Sequence, residues 1–321
     1  MSLRKIFIAS VFASLGFAAT ENALSQAVNA GGTYTQRPIP VVERNNLYCA
    51  GYVQNSPMNT AMQLVGGLEE QEQYVYSQNN FVYLSLPASG RLNVGDLMSV
   101  VRPRGKVKSK WSKKGKLGYY VQEVGAVEIV RVKADHAVAR IKTSCDNFLL
   151  GDIVQPIPSR VSPLFQERPA LDRFADASGK NVGRLIMARD SKEVIAREDI
   201  VYIDLGAEDN VQVGDYVTVF RSLGKGGLMM PNESEHTLAS SYGYNSDEYK
   251  GDKFSNQAPR REGDNAGGRP ISQKEAKSGR PSNLRKVVGE LVVINVKERT
   301  ATAVVVRTGQ EIHTGDWVEI Q

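Results

Sequence analysis

The sequence predicts an all-β fold of two tandem small antiparallel barrels, preceded by a signal peptide. Short β-branched and aromatic runs, instead of long helical stripes, hold most of the aliphatic residues. One strand–turn–strand pattern also occurs twice, because residues 81–102 align without a gap with residues 200–221. Closing a small antiparallel sheet into a barrel removes its exposed edges, and an SH3-like and an OB-like barrel both fit this pattern.

The N-terminus has the pattern of a secretory signal peptide, which we place at residues 1–30. Arg4 and Lys5 precede a short apolar run that extends to Ala19, and small residues follow it. The alternative is an uncleaved membrane anchor, for which the run is short. We therefore expect an exported protein, in the periplasm or at the cell surface, that meets a membrane only by peripheral contact.

Composition and repeat divide the rest of the chain. Residues 31–46 contain few apolar side chains and are expected to form a flexible lead. Residues 47–156 form β module one, and residues 182–321 form β module two. Between them, residues 157–181 form a proline-rich linker, which we expect to be extended and semi-stiff.

Inside the modules, three segments carry further expectations. Residues 47–53 are a candidate first strand, and residues 61–65 a possible short helix. Residues 228–283, an insertion between the halves of module two, contain no valine and many small polar residues. Such a segment buries too little apolar surface to offset its ordering entropy, so we expect a disordered loop. It takes the position in module two that a basic segment, residues 103–118, takes in module one.

The chain has two cysteines, Cys49 and Cys145, both in module one. An exported protein meets an oxidising compartment, in which thiols can pair. Barrel closure commonly brings terminal strands together, so a disulfide is predicted. Two separate buried thiols are the alternative.

A run of cations without an intervening acidic residue is the candidate binding site. Clustered cations gain free energy by releasing the counterions of an anionic polymer, and an aromatic ring among them can stack on a sugar. A solvated hairpin whose lysines keep it soluble is the alternative. The candidate ligand-binding residues are Arg104, Lys106, Lys108, Lys110, Trp111, Lys113, Lys114 and Lys116.

Gly-Asp pairs recur ahead of four strand-like runs, and we interpret them as turns. Glycine accepts a positive φ there, and the aspartate oxygen can bond a nearby backbone amide. The alternative is a metal site formed by Asp204, Asp209 and Asp215, whose spacing fits no EF-hand loop. We predict no metal and no cofactor. The pairs are residues 95–96, 151–152, 214–215 and 315–316.

The sequence lacks the common catalytic patterns. It contains no nucleophile elbow, no His-Glu-x-x-His motif and no Walker loop. Its three histidines, His136, His236 and His313, have no Cys or His partner at ligand spacing. These patterns favour a structural or binding protein over an enzyme. A cell-wall-acting hydrolase is the alternative, because a glycosidase needs only two well-placed acids.

The strand and turn pattern resembles a β module of bacterial envelope proteins. It is carried by Val201-Tyr-Ile-Asp-Leu-Gly, Val213-Gly-Asp-Tyr-Val-Thr-Val-Phe-Arg, Val288-Gly-Glu-Leu and Gly315-Asp-Trp-Val. It is similar to the C-terminal domain of flagellar assembly protein T and to the β module of exported LysM-containing proteins. The resemblance implies a binding or scaffolding role. The expected partners are envelope proteins or an anionic envelope polymer, such as peptidoglycan or lipopolysaccharide, and no nucleic acid.

Overall fold

A computed structural model describes residues 39–43, 47–71, 75–86, 91–222, 263–264, 270–271, 281 and 283–321. These residues form β-strands joined by turns, with single turns of 3-10 helix at Arg189–Ser191 and Ala207–Asp209. The prediction of an all-β fold is confirmed. Across the described ranges, no helix has the length and apolar character needed to cross a membrane.

Seven antiparallel strands form the first sheet: β1 (Tyr52–Gln54), β2 (Leu64–Gly67), β3 (Phe81–Ser85), β4 (Leu97–Lys106), β5 (Tyr119–Val132), β6 (His136–Ser144) and β7 (Ile153–Pro156). Their order is β2-β3-β6-β5-β4-β7. β1 lies outside this order and pairs with the first residues of β5.

The second sheet is a closed barrel of antiparallel strands: β8 (Val182–Ala188), β9 (Ile200–Ile203), β10 (Tyr216–Ser222), β13 (Arg285–Val296), β14 (Ala301–Thr308) and β15 (Trp317–Ile320). Around the barrel the order is β10-β13-β14-β9-β8-β15. Two further strands, β11 (Gly263–Asp264) and β12 (Pro270–Ile271), pair only with each other.

Two predictions fall mainly on residues outside this description. The signal peptide at residues 1–30 lies wholly outside it. The expected disordered loop at residues 228–283 lies outside it except for β11, β12 and two residues at its C-terminal end. Both stay predictions.

Each sheet has its own apolar core, built by the alternation of side chains along its strands. In the barrel, residues such as Val201 and Ile203 of β9 are buried among Val219 and Leu291 of the facing strands. In the first sheet, Val82 and Leu84 of β3 fill the same role among Val127, Ile129 and Ile141. Every second residue of these strands therefore points outward.

The pairings of the first sheet recur in the barrel with the same register and the same bulges. Phe81 lies opposite Arg140, as Ile200 lies opposite Val304. The registers of β5 with β6 and of β13 with β14 likewise match residue for residue, with bulges at matching places. Each outward position of β2, β3, β5 and β6 thus has one counterpart on the barrel.

The structure corrects the expectations for the start of module one. Residues 61–65 do not form a helix, because Met62 and Leu64 are buried in the core and β2 begins at Leu64. Only the end of residues 47–53 is extended, and this segment pairs with β5 instead of opening the sheet. Its strand is short because Gly51, with φ of 66°, breaks the extended conformation. At the end of the expected flexible lead, Val42 is buried.

Candidate functional site

The predicted cations lie on one hairpin, formed by β4, β5 and the connecting residues 107–118. β4 carries Arg104 and Lys106 at its end, and the other predicted residues belong to the connection. Six of the eight side chains are exposed. Among the described residues, none of these six forms an ion pair. We call them the hairpin cations: Arg104, Lys106, Lys108, Lys110, Lys113 and Lys116.

Lys114 has a different environment from its neighbours. Its Nζ lies 2.5 Å from Glu208 Oε1 and 2.5 Å from Asp209 Oδ2, two carboxylates of the barrel. The ammonium group holds the pKa of Glu208 below its ordinary value. Lys114 therefore fastens the hairpin to the barrel, and its charge is already paired.

Trp111 also packs on the barrel. A Cβ atom placed on Gly315 would come within 2.7 Å of Trp111 Cδ2, so the indole lies on a backbone position that only glycine leaves open. The Lys110 ammonium lies 4.6 Å from the centre of the Trp111 ring. Trp111, expected among the foremost ligand contacts, thus helps to hold the hairpin in place.

Two clefts border the hairpin, one on each side. The first, of about 520 Å³, is lined by Arg104, Lys106, Lys108, Tyr120, Ile186 and Asp190, among others. The second, also of about 520 Å³, is lined by Lys106, Lys108, Lys116, Tyr119 and Arg299, among others. Lys106 and Lys108 border both clefts. They form a ridge of positive charge between two concave surfaces, where an extended anionic chain has several cations within reach.

A short segment, residues 47–53, holds the first sheet against the barrel; we call it the docking segment. The Tyr202 hydroxyl donates to the Ala50 carbonyl at 2.5 Å, and the Thr300 hydroxyl donates to the Val53 carbonyl at 2.7 Å. Burial raises the pKa of Tyr202 well above its ordinary value, so this hydroxyl stays a donor at neutral pH. The docking segment therefore fixes the first sheet, which carries the hairpin, against the barrel.

The linker closes over the docking segment through a buried ion pair. Arg160 Nη2 lies 2.8 Å from Glu123 Oε1, and both side chains are almost wholly buried. Glu123 also accepts the backbone N–H of Gly51, and Arg160 donates to the carbonyl of Leu47. These contacts pair the two buried charges, and they tie linker, docking segment and β5 together.

The two cysteines are joined in a disulfide. Cys49 lies in the docking segment and Cys145 directly follows β6, with their Cα atoms 5.6 Å apart. This separation is ordinary for a disulfide. The bond anchors the docking segment covalently to the first sheet.

The Gly-Asp pairs have the geometry of turns. Gly95, Gly151, Gly214 and Gly315 all have φ between 89° and 97°. Each aspartate accepts the backbone N–H three residues earlier, as Asp316 does from His313. Of the alternative metal ligands, Asp209 binds Lys114 and Asp215 caps its own turn. In the described ranges, no three acidic, His or Cys side chains are placed to hold a metal ion.

One cleft brings two carboxylates together, as a hydrolase would require. It has a volume of about 420 Å³, and Glu123 and Asp190 line it beside the Cys49–Cys145 disulfide. Glu123 is paired with Arg160, and Asp190 lies 3.2 Å from the Arg189 guanidinium. Each carboxylate of this cleft thus already has an arginine partner.

The histidines are distributed without a common site. His136 Nδ1 lies 2.7 Å from the exposed Asp135 carboxylate, at the start of β6. His313 lies in the turn before β15, where its backbone N–H bonds Asp316. His236 lies outside the described residues. The two described histidines thus line neither of the clefts beside the hairpin.

The sequence did not reveal that residues 47–53 pack on the barrel. It also did not reveal which barrel residues border the clefts, such as Arg299. Arg299 donates to the carbonyl of Lys116, which is far from it in the sequence. No signal in the sequence separates the docked surface from its counterpart. Ile200-Val-Tyr-Ile203 is apolar at every position, and so is Phe81-Val-Tyr-Leu84 of β3, although the burial of β3 alternates.

No protein-family model matches this sequence, and no curated protein matches it either. The likeness to envelope modules rests on the strand and turn residues quoted above. Function is therefore inferred from the geometry of the hairpin and its surroundings.

Proposed function

We propose that this chain is an exported structural or binding protein of the cell envelope that contacts an anionic polymer, such as peptidoglycan or lipopolysaccharide, through the hairpin cations. One observation carries the proposal: six exposed cations, without an ion-pair partner among the described residues, lie on a hairpin fixed to the barrel, and four of them line two clefts. A fixed array of like charges is costly unless a counter-charged ligand or solvent compensates it.

Export is supported by two independent features. The N-terminal sequence has the order of charge, apolar run and small residues of a signal peptide. The Cys49–Cys145 disulfide suits an oxidising compartment such as the periplasm or the cell surface. An exported protein meets cell-wall glycans and acidic lipid headgroups before it meets nucleic acid.

The finer architecture, two copies of one small barrel, belongs to the same proposal. In the barrel, Leu185 exchanges backbone hydrogen bonds with Gly315 and Asp316, which brings β8 and β15 together. Leu64 makes the corresponding bonds with Gly151 and Asp152. These bonds support a first sheet that also closes, at β2 and β7. Either an SH3-like or an OB-like barrel is compatible with it.

The charge on the ridge suits a polymer better than a small anion. Arg104, Lys106 and Lys108 face one cleft, while Lys106, Lys108 and Lys116 face the other. A long polyanion can contact both sets at once and release several counterions. Tyr119 and Tyr120 add an aromatic surface in each cleft, on which a sugar ring can pack.

The test is to remove the two ridge lysines together with Lys110, the next cation along the hairpin. Changing Lys106, Lys108 and Lys110 together to Ser should reduce retention on isolated envelope or on an anionic glycan. The salt dependence of the residual binding should also become shallower, because fewer counterions are released. Retention would be measured over a series of salt concentrations.

A matched control removes the same charge elsewhere. Arg91, Arg131 and Lys133 are exposed cations that line neither cleft, and Arg131 lies at the end of β5 farthest from residues 107–118. Changing these three to Ser should leave retention nearly unchanged. Equal losses in both triple variants would mean that only net charge matters, and unchanged retention in the ridge variant would leave only the solvated-hairpin interpretation.

The alternative function, a cell-wall-acting hydrolase, has one observation in its favour, the cleft shared by Glu123 and Asp190. The arginine pairing of both carboxylates counts against it. The burial of the Arg160–Glu123 pair under the linker favours a structural role for Glu123. We therefore propose binding without catalysis.

A further inference from the structure

The barrel has an outer apolar surface that the first sheet covers. We call it the docked face: Ile186, Ile200, Tyr202, Val292, Ile294 and Val304. All six side chains are buried, although they point away from the barrel core. They pack against Leu47, Ala50 and Val53 of the docking segment. The docked face is thus the surface of the barrel on which the docking segment of the same chain packs.

The first sheet has the same six positions on its outer surface, because its strand register matches that of the barrel. We call them the open face: Val65, Phe81, Tyr83, Glu128, Val130 and Arg140. Val65 is 52% exposed and Val130 is 39% exposed, whereas their counterparts Ile186 and Ile294 are buried. Glu128 and Arg140 form an ion pair at 2.7 Å across this face. Lys142 Nζ lies 3.3 Å from the same Glu128 carboxylate. Four apolar side chains therefore lie around a small charged cluster at the surface.

The barrel in turn has a counterpart of the docking segment, near the end of the linker. The carbonyl of Arg173 accepts the backbone N–H of Val287, whose counterpart in the first sheet is Glu123. Glu123 contacts the docking segment through a different bond, in which its side-chain carboxylate accepts the backbone N–H of Gly51. Leu171 lies beside Gly309, which occupies the position of Cys145. Residues 171–175 thus run along the barrel as the docking segment runs along the first sheet.

This counterpart segment contains Phe174, which is the most exposed of the large apolar residues that the structure describes. Phe174 is 88% exposed. The docking segment, by contrast, buries its apolar residues against the barrel of its own chain. A large apolar side chain at an exposed position often marks a contact with another molecule.

We propose that copies of this chain associate head to tail, with residues 171–175 of one copy docking on the open face of the next. The occupant is a second copy because the chain already contains the corresponding contact in cis, between a segment that lies along one sheet and the outer face of the other. Such a heterologous contact leaves one unused surface at each end, so it generates a chain or a ring. This association does not depend on the proposed anionic ligand.

Charge supports the same arrangement. Asp172 and Arg173 lie between Leu171 and Phe174 in the segment, and Glu128 and Arg140 lie among the apolar residues of the open face. Opposite charges can therefore meet across the contact. Exposed ion pairs contribute little free energy, so we expect a reversible association that rises with protein concentration.

Two surface substitutions test the proposal in the full chain by sedimentation velocity over a concentration series. Phe174→Ser removes the side chain that docks, and Val130→Asp places a second carboxylate beside Glu128 on the open face. Each should weaken self-association about tenfold or more, as expected for the loss of a buried apolar side chain. Val194→Asp, at a valine that is 59% exposed in the barrel, is the matched control and should associate like the unchanged chain.

Mixing the two variants distinguishes a head-to-tail contact from other modes. The Phe174→Ser chain keeps an intact open face, and the Val130→Asp chain keeps an intact Phe174. An equal mixture should therefore form one-to-one dimers and nothing larger. A monomeric unchanged chain at all soluble concentrations, association that survives both substitutions, or a mixture that stays monomeric would each overturn the proposal.

Discussion

The docked face and the open face have the same strand register and different side chains. On the docked face all four residues of β9 are buried, because the barrel core covers one side and the docking segment covers the other. On the open face β3 alternates between buried and half-buried residues. The backbone of a module is thus compatible with either surface, and the outward side chains decide whether it is covered.

One pair of positions makes the difference clearest. Val292 and Val304 lie opposite each other on the docked face, and Glu128 and Arg140 occupy the matching positions on the open face. Burial of two valines is favourable because their apolar surface leaves water, whereas burial of an ion pair is costly because both charges lose their hydration. The docked face therefore favours a permanent contact and the open face a reversible one.

The largest effect on stability is predicted for a substitution that places a charged residue of the open face at the matching position of the docked face. Val292→Glu gives the docked face the acid of the open face, without the arginine. An uncompensated buried charge should lower the free energy of unfolding by about 3–5 kcal/mol. Chemical denaturation of the two chains would measure the difference.

The reverse exchange is the control for this prediction. Glu128→Val removes an acid that is 27% exposed in its side chain and paired with a partly exposed arginine. We expect little or no change in the free energy of unfolding, because ion pairs at the surface contribute little to stability. Similar effects of both substitutions would show that the two faces are equally covered.

A smaller effect is predicted for two tyrosines at matching positions. Tyr202→Phe leaves the buried Ala50 carbonyl without the hydroxyl that bonds it, which should cost about 1–2 kcal/mol. Tyr83→Phe removes the matching hydroxyl from the half-buried open face and should change stability by less than about 0.5 kcal/mol. Thermal unfolding of both variants checks the contrast, and an equal loss would contradict it.

Local pattern was enough to predict the strands and turns. Phe81 of the first sheet and Ile200 of the barrel could be predicted to be equivalent from residues close to each of them in the sequence. The turn at each Gly-Asp pair could be predicted in the same way. The segment at residues 61–65 was misread as a helix, since its apolar spacing fits both structures and only burial against distant strands decides.

The candidate site shows the same limit. The positions of the hairpin cations could be predicted, because a charged run is visible in the sequence itself. The separate roles of Lys114 and Trp111 could not, because their partners Glu208, Asp209 and Gly315 lie in the barrel. Contacts between residues this far apart in the sequence produce no local pattern from which they could be predicted.

The central claim is that one kind of contact is used twice, within the chain and between chains. The most direct test replaces Phe174 with the photoreactive p-benzoylphenylalanine in a mixture of isotope-labelled and unlabelled chains, followed by mass spectrometry. We predict cross-links from position 174 of one copy to Tyr83, Val130 or their strand neighbours in another. Cross-links confined to the same chain, or to residues outside the open face, would contradict the claim.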